Sequence, residues 1–94
     1  MSKYSIVKLP TEVLSNTAIK LRELRKKSCL TQVELAERSG VSLGSIKRFE
    51  SSGKISLESF VKLLHLLNRL DEFDEILMPG DNMKEIEKLF THSC

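Results

Sequence analysis

Apolar side chains recur along most of this chain at intervals of three and four residues, the spacing that lines one face of an α-helix, and hydroxyl residues or glycines punctuate the runs. Leu14, Ala18, Leu21 and Leu24 make the first series, with Thr11 available as its cap, which predicts a helix over about residues 11–27. Thr31-Gln-Val-Glu34 then has the form of a capping box, in which a hydroxyl and a carboxylate three residues on each satisfy a free backbone amide, and it opens a second helix that ends at Gly40. Only Val41 separates Gly40 from Ser42, a good cap for a third short helix carrying Ile46 and Phe49. Ser51-Ser-Gly53 breaks the pattern. Ser56 and Glu58 restart it for a fourth helix with a core stripe of Leu57, Phe60, Leu63, Leu64, Leu67 and Leu70, leaving Val61 and Leu66 off the stripe. An acidic helix is predicted over 71–77, a turn at Met78-Pro-Gly80, and an amphipathic helix from Asp81 to Phe90 with Met83, Ile86, Leu89 and Phe90 on one side. Ahead of all this, Tyr4, Ile6, Val7 and Leu9 alternate irregularly as far as Pro10 and read as an extended arm. The expectation is an all-α chain of five to six helices: an N-terminal arm over 1–10, a helical domain over 11–70, and an acidic helical extension over 71–94.

Composition is compatible with that pattern and narrows the chemistry. Ninety-four residues suffice for one compact core, and 40% hydrophobic with 30% charged residues is ordinary for a soluble globular domain. No apolar run approaches the roughly 20 residues needed to cross a bilayer, and the first residues lack the order of a signal peptide, so a cytoplasmic protein without membrane contact is expected. Cys29 and Cys94 stand alone, without the paired spacing of a disulfide framework or metal site; free thiols, no metal and no cofactor follow, with Cys29 expected to be small packing at a helix end. The net charge of +2 hides an asymmetry: residues 20–54 hold nine Lys/Arg against four Glu, and residues 55–94 hold four Lys/Arg against eight Asp/Glu. A basic middle joined to an acidic tail suggests that the middle meets a polyanion and the tail something else, although two solvated helix faces would give the same count.

The stretch from Thr31 to Glu50 concentrates the signal. Leu35 and Ala36 permit close helix approach, Gly40 supplies a left-handed turn, Val41 plugs the gap, and Ile46 and Phe49 anchor the next helix, which is the physical outline of a helix-turn-helix. Taken with Leu21-Arg-Glu-Leu-Arg25, Leu30-Thr-Gln-Val-Glu-Leu-Ala36, Gly40-Val-Ser42 and Ile46-Lys-Arg-Phe-Glu50, the sequence resembles the Xre/Cro/C1-type family of bacterial and phage repressors over about residues 14–70. The resemblance implies a lambda-repressor-like domain whose third helix lies in the DNA major groove. It implies that Gln32 holds a backbone phosphate, that Ser42, Leu43, Gly44, Ser45, Lys47 and Arg48 reach bases or adjacent phosphates, and that Lys54 holds phosphate. It further implies a structural ion pair between Arg25 and Glu50. Leu43 and Gly44 depart from the family pattern, where relatives often carry side chains that read base edges with two hydrogen bonds. Leu43 is suited instead to a thymine methyl and Gly44 to close backbone approach.

No enzyme is expected. Ser51 and Lys54 match a serine/lysine nucleophile spacing only as surface-turn residues, and neither His65 nor His92 has a ligand or catalytic partner at useful spacing. Val61, Leu66, Met83, Ile86 and Phe90 exceed what one small core needs and suggest an oligomer or partner surface, hence a homodimer on a palindromic operator, the alternative being that the last helix folds back on its own domain. Ser42 to Glu50, Ile55 to Ser59 and Leu70 to Leu77 also resemble, more loosely, the small antitoxins encoded beside Hip-type kinase toxins, which implies autoregulation and a kinase-like partner. The competing reading is a protein-interaction module on the same fold that does not bind DNA.

Overall fold

The computed structural model describes residues 9–79, and among them every regular element is a helix. These are α1 (Pro10–Lys27), α2 (Gln32–Ser39), α3 (Leu43–Ser52), α4 (Leu57–Leu66) and α5 (Leu70–Asp74). The arm over residues 1–8 and the helix expected from Asp81 to Phe90 lie outside the described residues, as do Met83, Ile86, His92 and Cys94.

Helix starts follow local chemistry. Thr31, Ser42 and Ser56 each accept, through the side-chain oxygen, the backbone N–H three residues on, at Glu34 (3.0 Å), Ser45 (3.1 Å) and Ser59 (3.1 Å). The Glu34 carboxylate accepts the Thr31 N–H at 2.9 Å, completing the capping box, and this bond holds its carboxyl below the usual carboxylate range. The first helix corrects the sequence reading. It begins at Pro10 rather than after Thr11, because proline's fixed φ suits the first helical position, and Leu9 takes the cap place with its carbonyl accepting from Glu12 and Val13.

Helix ends differ in kind. Gly40 (φ 81°) closes α2 and Gly53 (φ 82°) closes α3, both in the left-handed conformation. A Cβ on Gly53 would lie 2.9 Å from the Leu14 backbone, so the close of α3 rests directly on α1. Cys29 and Asn68 adopt φ of 60° and 66° after α1 and α4. In each case the two N–H groups beyond the helix return to its last turn, Cys29 to Lys26 and Leu30 to Arg25, Asn68 to His65 and Arg69 to Leu64. Cys29 is exposed, so it is not the packing residue the sequence suggested; its place is a backbone turn.

Ala18 and Leu21 of α1, Leu35 of α2, Val41 of the turn, Ile46 and Phe49 of α3, and Leu63 and Leu64 of α4 form one buried core. Edge-to-face contacts carry it outward, from Phe49 to Phe60 (centroids 5.9 Å) and from Phe60 to Phe73 (6.1 Å), so α3, α4 and α5 share one aromatic chain. The division placed at residue 70 thus meets the first residue of α5, and Phe73 beyond it packs on the core. Two members of the expected α4 pattern change places: Leu57, first in the helix, is exposed, whereas Leu66 packs against the core. The acidic helix is shorter than the predicted 71–77, ending at Asp74 and followed by turns.

Candidate nucleic-acid interface

The two faces of α3 are sharply divided. Ile46 and Phe49 are fully buried and fix the helix against α1 and α2, while Gly44, Lys47, Arg48 and Ser51 are exposed on the other side. The i, i+3, i+4 spacing puts Lys47 and Arg48 on the same outward stripe as Gly44. Leu43 and Ser45 are half-buried at the start of the helix.

Two shallow polar hollows flank α3. On the α1 and α2 side, Arg22, Thr31, Gln32, Lys47 and Ser51 surround an open depression of about 460 Å³, floored by Arg25 and Glu50. On the other side, Arg48 and Lys54 with Ser45, Ser56 and Ser59 surround one of about 280 Å³. Each hollow offers cations and hydroxyl groups, the donor set that phosphate oxygens take. Gln32 and Lys47 are thus brought together at the first hollow, and Ser45, Arg48 and Lys54 at the second, with Lys47 and Arg48 adjacent on α3 between them. Arg22, Ser56 and Ser59 join them without having been singled out in the sequence; the basic count of residues 20–54 contained Arg22, but no local pattern marked its side.

Beneath the first hollow lies the ion pair expected from the resemblance. Arg25 Nε and a terminal guanidinium nitrogen donate to the two Glu50 oxygens at 2.7 and 3.1 Å, and the side chains are only 9% and 6% exposed. The other guanidinium nitrogen donates to the Leu30 carbonyl at 2.7 Å, which holds the turn before α2. Gln32 completes the group: its side-chain amide donates to Glu50 at 2.8 Å. Its NH₂ is thus turned toward α3, a partnership that sequence spacing did not reveal.

At the start of α3, hydrogen-bonding capacity is largely spent inside the protein. The Ser42 hydroxyl accepts from the Ser45 N–H and donates to the Ser45 hydroxyl at 2.8 Å, which leaves Ser45 with its own hydrogen to donate. Leu43 and Gly44 add no polar side-chain group. Free side-chain donors on this face are concentrated one turn later, at Lys47 and Arg48, and across the loop at Lys54.

Among the described residues there is no cluster of His, Cys, Asp and Glu that could hold a metal ion, and no helix is long and apolar enough to cross a membrane. No match was found among curated proteins or among solved structures. A helix-turn-helix family model matches residues 21–73, more than half of the chain, spanning the arrangement just described from the last turns of α1 to Phe73. An all-helical core with α2 and α3 joined through Gly40 and Val41, and a DNA-binding family match laid over it, place the chain in the helix-turn-helix family of Xre/Cro/C1 type.

Proposed function

We propose that this DNA-binding regulator is a sequence-specific transcriptional repressor that inserts α3 into the major groove of double-stranded DNA. The observation that carries the reading is the division of α3 into a fully buried Ile46/Phe49 face and an exposed Gly44/Lys47/Arg48 face, with a cation-bearing hollow on either side. Gln32, through its main chain, and Lys54 then hold phosphates on the two sides of the groove, while Ser42, Leu43, Gly44, Ser45, Lys47 and Arg48 face the bases or nearby phosphates. Arg25 and Glu50 take no part in contact and keep Gln32 and α3 in register.

The protein acts in the cytoplasm as a homodimer on a palindromic operator, two copies of α3 meeting successive major grooves about 34 Å apart. Ile76, Leu77 and Met78 support the dimer reading, for three consecutive exposed apolar residues following α5 are a natural contact surface. The loose resemblance to small antitoxins supports autoregulation, with the operator upstream of the protein's own reading frame and a kinase-like toxin as partner. The test is a binding titration on a duplex that the protein itself selects from a random pool, with a scrambled duplex as control and salt varied. Selective binding in multiples of two protomers, with log affinity falling by about 0.9 per phosphate neutralised for each log unit of salt, is expected. A folded protein that selects no duplex at any salt would overturn the repressor and leave a protein-docking module.

A further inference from the structure

Several large apolar residues on one side of the domain are not claimed by its core. Between α1, α4 and α5 lies an open, mainly apolar groove of about 280 Å³, walled by Thr17 and Leu24 of α1, Phe60 and Leu64 of α4, Phe73 of α5 and Ile76 after it. Val13 stands four residues before Thr17 on the same stripe of α1, and Leu57 stands three before Phe60 and seven before Leu64 on the same stripe of α4. Both banks of the groove are thus prolonged by apolar helix faces, and the approach of Gly53 to the Leu14 backbone brings the starts of the two helices toward one another at that end. Val13, Leu57 and Ile76 are nevertheless 44, 65 and 60% exposed.

The sequence that follows α5 has the length and pattern to cover them. Ile76 is itself on the groove, and residues 77–80, which include Pro79 and Gly80, have the length of an ordinary connection between packed helices. Beyond them the apolar spacing predicts a helix from Asp81 to Phe90, about 15 Å long, against about 16 Å of α1 between Val13 and Leu24. Met83, Ile86 and Phe90 follow the i, i+3, i+7 spacing by which an amphipathic helix anchors in a groove. Glu85 and Glu87 fall on either side of that stripe and Lys84 and Lys88 on the opposite face, while Lys20 on the α1 bank is in no ion pair among the described residues. A segment on so short a tether meets its own groove at a local concentration on the order of millimolar, which a second copy in dilute solution does not match.

We infer that residues 81–90 of this same chain occupy the groove. They run antiparallel to α1, from the Ile76 end toward Val13 and Leu57, with Met83, Ile86 and Phe90 turned inward and a glutamate beside Lys20. The segment covers Val13, Leu57 and Ile76 and leaves Leu77 and Met78 outside it. The inference does not draw on the DNA-binding reading and is tested without DNA.

The experiment places a nitroxide on Cys94, one turn beyond Phe90, in the full chain carrying Cys29→Ser, so that a single thiol remains. Broadening of backbone amide signals is read against the same sample with the label reduced. The expected result is broadening strongest at Val13 and Leu57 when label and nitrogen-15 are in one chain, no such broadening when labelled chains are mixed with unlabelled nitrogen-15 chains, and its loss in Phe90→Asp. Sharp signals at Val13 and Leu57 in the labelled chain overturn the docking, as does broadening that survives Phe90→Asp. Broadening of the same amides in the mixed sample overturns it in favour of a second copy's segment. Thermal unfolding of the full chain gives an independent reading: Ile86→Asp should lower the midpoint by about 4–8 °C and Lys88→Gln, on the opposite face, should not. An unchanged midpoint in Ile86→Asp, or an equal fall in Lys88→Gln, also overturns the proposal.

Discussion

Replacing Glu50 with alanine should remove a large fraction of the stability of this domain. Glu50 accepts two hydrogen bonds from Arg25 and one from Gln32, and both members of the ion pair are more than nine-tenths buried. Truncating it leaves a guanidinium in the interior with the Leu30 carbonyl as its only remaining described partner. Breaking a buried pair from one side costs about 3–5 kcal/mol, against a total of roughly 5–15 kcal/mol for a small domain. The chain has no tryptophan and one tyrosine, so urea unfolding is best followed by far-ultraviolet circular dichroism. With a slope of about 1–1.5 kcal/mol per molar urea, the midpoint should fall by about 2 M or more, or the variant should be unfolded without denaturant. The double variant Arg25→Met, Glu50→Leu discriminates the cause. If the stranded charge is responsible, removing both charges recovers most of the loss, because apolar residues of similar volume tolerate the site that an unpaired cation does not. A loss under about 1 kcal/mol in Glu50→Ala, or a double variant no better than the single one, would refute the reasoning.

Gly53→Ala should destabilise by about 2–4 kcal/mol in the same assay, since a left-handed alanine is strained and its methyl would press on the Leu14 backbone; an effect near zero would mean that α1 and the close of α3 separate easily. Cys29→Gly should stabilise by about 0.5–1 kcal/mol, the side chain being exposed and the conformation left-handed, and a loss of stability would contradict that account. The capping box makes a pH-dependent contribution. The Glu34 carboxyl is lowered chiefly by its bond from the Thr31 N–H, so its stabilisation is present above the unfolded carboxylate value and disappears as pH falls through the lowered folded value. Wild type should therefore exceed Glu34→Gln in stability at neutral pH and converge with it in acid, whereas a constant difference across pH would exclude the charged bond as the cause.

Much of this architecture is legible from local chemistry. Thr31, Ser42 and Ser56 mark three helix starts because a cap acts within three residues, and Gly40 and Gly53 mark two ends because few residues adopt a left-handed φ. At the start of α1 two local signals compete, a hydroxyl at Thr11 and a proline fit for the first turn, and the proline prevails, moving the cap to Leu9 and the start by one residue. Leu57 satisfies the apolar spacing of α4 yet stands on its first turn, beyond the reach of the core. The site divides along the same line. Lys47 and Arg48 are legible as the outer stripe of an amphipathic helix, but the bond from Gln32 to Glu50 spans 18 positions and depends on how α2 meets α3, which periodicity does not encode. The Arg25–Glu50 pair spans 25 positions and is legible only through family resemblance, for the same reason.

The separation of faces on α3 has an evolutionary corollary. The residues that hold the helix in place, Ile46 and Phe49, share no duty with the outward set of Gly44, Lys47, Arg48 and Ser51. Exposed substitutions away from special features usually change stability by less than about 0.5 kcal/mol, so the outward set can drift or be diversified while the scaffold stays intact. On the proposed DNA-binding reading, descendants can change DNA preference by a few codon changes without passing through unfolded ancestors. The same modularity makes these four positions a natural library for testing which of them sets DNA preference on an unchanged helical frame.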